Sequence, residues 1–129
     1  MNYLGYRIIE ENGLSIELTI DETSLGELIG SRDTAIPFWL FDNDLPHLPP
    51  FGEKRNTGMK IVTVCSCGEY GCGHTHCRIS QSNDTIILSE FEDGNTGKRS
   101  DQEFHIAKEN YKAVISQILQ TIDEHKSKQ

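Results

Sequence analysis

KIVTVCSCGEYGCGHTHCRISQSNDTIILSEF, residues 60–91, is the stretch that decides the fold. It holds three β-prone runs, Lys60 to Ser66, Gly73 to Ser80 and Thr85 to Phe91. A glycine-rich segment separates the first two, and the turn-forming residues Gln81-Ser82-Asn83-Asp84 separate the last two, so an antiparallel meander is the simplest arrangement. Folding the first hairpin at a four-residue turn from Gly68 to Gly71 sets Cys67 opposite Cys72 and Cys65 opposite His74. Side chains alternate across a strand, and that register puts all four on one face. The other face then collects Val62, Val64, Cys77 and Ile79 and, past the next turn, Ile86 and Leu88. This is the expected core face, with Cys77 a buried thiol acting as a small hydrophobe.

Outward from the meander, Tyr6 to Glu10 and Leu14 to Ile20 flank Glu11-Asn12-Gly13. Asn-Gly favours a tight turn because both residues tolerate positive φ, so a β-hairpin is predicted. Asp21 to Ser24 supply capping residues ahead of Leu25, Leu28 and Ile29, a short helix that Gly30 should stop. From 32 to 57 periodicity is lost. Pro37, Pro46, Pro49 and Pro50 interrupt an irregular excursion whose Phe38-Trp39-Leu40-Phe41 patch is expected to cover the sheet rather than stand in water. Near the end, Tyr111, Val114, Ile115, Ile118, Leu119 and Ile122 recur at helical spacing within Ala107 to Lys126, predicting an amphipathic helix against the sheet. The expected fold is a single α+β domain over 1–129: an N-terminal hairpin and a central meander packed on a long C-terminal helix.

A chain of 129 residues, 36% hydrophobic and 25% charged, is long enough to bury a core without staples. Its formal net charge of −8 repels phosphate backbones, so direct nucleic-acid binding is not expected. No apolar run is long enough to span a bilayer and the first residues lack a secretory pattern, so a cytoplasmic address is expected. All 4 cysteines lie in one segment, which in a reducing compartment reads as a metal site or as reduced thiols.

The candidate metal set is Cys65, Cys67, Cys72 and His74, with His76 as the alternate ligand if a bulge shifts the strand. Thiolates and an imidazole suit a structural zinc, although Cys-x-Cys-x4-Cys-x-His lacks the Cys-x2-Cys elbows of zinc ribbons. A thiol hairpin, or a cross-strand Cys67–Cys72 disulfide formed on oxidation, is the competing reading. Catalysis would need an open metal position with Glu69 as base, or Cys72 activated by His74 or His76. Nothing in the sequence supplies the rest of such a site, and no catalytic residue is assigned.

Asp44-Leu45-Pro46-x-Leu48-Pro49, then Cys65-x-Cys67-Gly68-x-x-Gly71-Cys72-Gly73, Arg78-Ile79, Phe104-x-Ile106 and Tyr111 resemble a widespread group of small bacterial proteins built on a CxCGxxGCG hairpin. His74 to Cys77 departs from that pattern, so metal binding does not carry over. Such proteins are similar in build to immunity proteins of polymorphic toxin and contact-dependent inhibition systems. The resemblance implies a non-enzymatic domain that neutralises a cognate toxin, and the negative charge would complement a basic partner. The candidate partner contacts are Asp42, Asp44, Glu69, Glu90, Glu92 and Asp93. A zinc-stabilised adaptor domain and, last, a small thiol or metal enzyme are the alternatives.

Overall fold

The structure, a computed structural model, describes residues 1–10, 13–40, 59–65 and 73–127. In chain order its elements are β1 (Leu4–Glu10), β2 (Leu14–Ile20), β3 (Thr23–Ser24), α1 (Leu25–Leu28), β4 (Ile36–Pro37), β5 (Met59–Val64), β6 (His74–Ser82), β7 (Thr85–Asp93), β8 (Arg99–Ser100), β9 (Phe104–Ala107) and α2 (Lys108–Ser127). Antiparallel sheet packed with a long C-terminal helix is thus the architecture, as the sequence predicts. No helix among the described residues is long and apolar enough to cross a membrane.

The first sheet grows from the β1–β2 hairpin, where Glu10 pairs with Leu14 and Leu4 with Ile20. Alternation puts Ile16, Leu18 and Ile20 into the core, which is what fixes that register. Asp21 and Glu22, with φ of 50° and 72°, turn the chain between Ile20 and Thr23. Ser24 then caps α1, its hydroxyl accepting from the Glu27 amide at 3.5 Å, and Gly30 at φ 74° leads the chain away. The irregular excursion contains β4, which pairs with β2. Within its aromatic patch Phe38 and Leu40 are buried and Trp39 is half exposed, while Phe41 lies outside the described residues.

The second sheet is the predicted meander, extended by β8 and β9 along the free edge of β7. The turn between β6 and β7 is tighter than expected: Ser82 pairs with Thr85, leaving only Asn83 and Asp84, with Asn83 at φ 54°. Two isolated bridges join the sheets. The Val64 amide donates to the Ala35 carbonyl at 2.9 Å, and the Asn2 amide to the His105 carbonyl at 2.7 Å beside a parallel bridge to Ile106. Backbone pairing therefore runs from β1 through β2, β4, β5, β6, β7 and β9 and returns to the start of the chain. One hydrophobic cluster fills the space enclosed, drawing on Leu4 and Ile16, on Val62, Cys77 and Phe91, and on Tyr111, Val114, Ile118 and Ile122 of α2. Leu119, placed on the apolar stripe by spacing, is 40% exposed because it sits at the stripe's margin.

At its centre the meander is bulged. His76 pairs with Glu92 and Arg78 with Ser89, so Cys77 faces two residues, Glu90 and Phe91. Glu90 takes φ 53°, the left-handed conformation that glycine normally supplies at this kind of bulge. That conformation costs an L side chain about 1–2 kcal/mol. Glycine relieves it but loses about 0.5–1 kcal/mol more chain entropy, and the exposed Arg78–Glu90 ion pair is worth little. Glu90→Gly is accordingly expected to raise stability by about 0.5 kcal/mol in urea unfolding. A clear loss would mean that the Arg78 pair outweighs the backbone strain.

Candidate functional site

The outer face of β6–β7–β8 carries a transverse row of charge. Because His76, Glu92 and Arg99 stand directly opposite one another on three neighbouring strands, one carboxylate is held from both sides. Glu92 Oε1 lies 3.3 Å from His76 Nε2, and Glu92 Oε2 accepts from Arg99 Nε at 2.8 Å. The Arg99 hydrogen bond, chiefly, holds the Glu92 carboxyl below its usual range, with His76 adding to it. One row along, Arg78 pairs with Glu90. On the other side His74 faces Gly94, whose amide donates to the His74 carbonyl at 3.0 Å. A Cβ at position 94 would fall on the His74 imidazole, so only glycine lets that ring lie across β7. The His74 and His76 rings sit 5.7 Å apart, both half-buried.

Asp93 is used differently. Its Oδ1 accepts from the Asn95 and Thr96 amides at 2.8 and 3.0 Å, tying the turn that brings β8 back onto β7. The Thr96 amide and then the Asn95 amide favour its charged form and lower its pKa. Asp21 is lowered in the same way, by the Asn2 side chain first and the Tyr3 amide second. The sign of the stability effect follows. A carboxyl whose folded pKa is depressed contributes stability above the unfolded value, about pH 4, and loses it as pH falls through the folded value. The urea midpoint is expected to hold down to about pH 5 and to drop below about pH 4. Asp21→Asn with Asp93→Asn should flatten that drop; an unchanged acid limb in the double variant would contradict the assignment.

Within the candidate Cys/His set, Cys65 and His74 do not stand opposite each other as predicted. Val64, not Cys65, pairs with His74, and the Cys65 amide donates to the Gly73 carbonyl at 2.8 Å. The ladder is thus one residue away from the expected register, and a further irregularity at Val62 separates the pairs Ile61–His76 and Thr63–Thr75. By alternation Cys65 lies with Gly73 and Thr75 on one face, and His74 and His76 on the other. Cys67, Cys72, Glu69, Asp42 and Asp44 lie outside the described residues, as does the Gly68 to Gly71 turn. Among the described residues no group of three or more His, Cys, Asp or Glu side chains is set to hold a metal ion. Cys77 is fully buried as expected, and burial drives its thiol pKa strongly upward.

Of the predicted partner contacts, Glu90, Glu92 and Asp93 are brought together at the β7 end, but each already serves a partner within the chain. Sequence reading missed Arg78 and Arg99. The first meets Glu90 only through the bulge, since the Asn83-Asp84 turn alone would set Glu90 opposite Cys77 on the core face; the second depends on β8, two residues long and without any pattern of its own.

Fold and face together define a small α+β domain with a closed circuit of strand pairing and a charge-laced sheet face. Compared with known proteins, the chain matches no family model, no curated protein and no solved structure at a significant level.

Proposed function

We propose that this chain is a non-enzymatic binding domain that engages a basic protein through the outer face of β6–β7–β8, and that in the setting its motif resemblance implies the partner is a bacterial toxin domain. The observation that carries this reading is the His76–Glu92–Arg99 row beside the Arg78–Glu90 pair. His76 and Arg99 hold the Glu92 carboxylate from both sides before any ligand arrives, which lowers the ordering cost of an interface built on it. Net charge adds steering toward a cationic surface.

Titrating the chain with a toxin domain encoded beside its gene tests the proposal by calorimetry. A one-to-one complex is expected, weakening as salt rises, and Glu90→Lys with Glu92→Lys should weaken it at least ten-fold. Equal binding by the charge-reversed variant, or failure both to bind and to protect cells, would overturn it.

A further inference from the structure

Beside the charged row is a recess of about 260 Å³ on the β7–β8 side of the face. Its walls are Arg78, Glu90, Glu92, Arg99, Ser100 and Asp101, with Phe91 of the core beneath. We infer that this recess receives one long cationic side chain, an arginine or lysine, from the basic partner; the inference rests on the reading of this face as a binding surface and deepens it.

Three features lead there. The first is size: cofactor and small-molecule pockets run to about 300–1,000 Å³, so this one suits a single side chain better than a free metabolite. The second is charge. Arg78 is matched by Glu90 and Arg99 by Glu92, which leaves Asp101, with no hydrogen bond or ion pair to another described residue, as the surplus negative group. A cleft with a net negative wall in a chain of charge −8 concentrates cations rather than anions. The third is the backbone of Glu90. The bulge at φ 53° turns this side chain from the core to the outer face, where its carboxylate lines the recess against Arg78.

The test uses the full chain and small probes, so it does not depend on the partner. N-acetyl-L-arginine amide is titrated into ¹⁵N-labelled protein, with the glutamate and glutamine analogues as anionic and neutral controls. Saturable shifts are expected at the amides of Glu90, Phe91, Ser100 and Asp101 with the arginine probe alone. Asp101→Asn with Glu90→Gln should weaken binding at least five-fold while the rest of the spectrum stays in place. No saturable shift, or shifts of equal size with the glutamate probe, would overturn the inference. The two proposals also separate. Partner binding that is unchanged in Asp101→Asn removes the recess but leaves the binding face, whereas a probe that binds when the partner does not leaves the recess and removes the partner.

Discussion

Phe91→Ala is expected to lower the stability of the fold by about 3–5 kcal/mol, the usual cost of emptying an aromatic site in a packed core. Phe91 is 1% exposed and meets Phe104 edge-on at a ring distance of 5.7 Å. It joins two neighbouring strands, since Phe104 belongs to β9 and Phe91 to the bulge on β7. Little can move in to fill the gap, because β7 is paired on both edges. Natural domains are stable by only about 5–15 kcal/mol, so the variant should lose a large share of the total and unfold at much lower urea. Phe91→Leu, which keeps most of the volume, should lose under about 2 kcal/mol. The consequence reaches the outer face: Glu90 and Glu92 are the neighbours of Phe91 in the chain, and a loosened bulge frees them from Arg78, His76 and Arg99. A loss below about 1.5 kcal/mol for Phe91→Ala, measured with an unchanged urea slope, would mean that this side chain is not packed as described.

How much of this was legible beforehand depends on where burial repeats. The core face of β6 and β7 was readable because Cys77, Ile79, Ile86 and Leu88 follow a period of two; Val62 and Val64 are buried as expected, but the irregularity at Val62 pairs Val64 with His74 rather than setting it on the face of Cys77. The last helix was readable because Tyr111, Val114, Ile118 and Ile122 follow a period near 3.6. What escaped was short or bulged. β4, β8 and β9 are two to four residues long; Phe104-x-Ile106 shows alternation, but four residues carry little signal. The register near Cys65 escaped because an irregularity at Val62 offsets the pairing without changing composition, and a single added residue moves a side chain to the opposite face. That one step separates Cys65 from His74. The charged row escaped for a related reason: Glu92 was visible as an acidic strand end, but its partners come from the bulge at Glu90 and from a strand that sequence does not announce.

Asn110→Ala should cost about 2–3 kcal/mol, although position 110 is in a helix and alanine is the better helix former. The side-chain amide of Asn110 acts as a substitute strand residue. Its Oδ1 accepts from the Leu4 amide at 2.8 Å and its Nδ2 donates to the Leu4 carbonyl at 3.0 Å, while Leu4 is 3% exposed. Truncation therefore strands a buried N–H and a buried C=O, each worth about 1–3 kcal/mol when left without a partner. The gain in helix propensity is at most about 0.7 kcal/mol and cannot offset that. Asn110→Asp tests the geometry more finely, because it keeps the acceptor for the amide but turns an oxygen toward the Leu4 carbonyl; it should lose as much or more. Hydrogen exchange identifies the site of the damage. Faster exchange is expected first at Leu4 and at Asn2, where the circuit of pairing closes onto β9, and last along β6 and β7, whose edges are held by other strands. Damage confined to that seam would leave the outer face able to bind its partner. Uniform acceleration across β6 and β7 would mean instead that the two sheets open as one unit, making the Asn110 clasp a condition for the binding face itself.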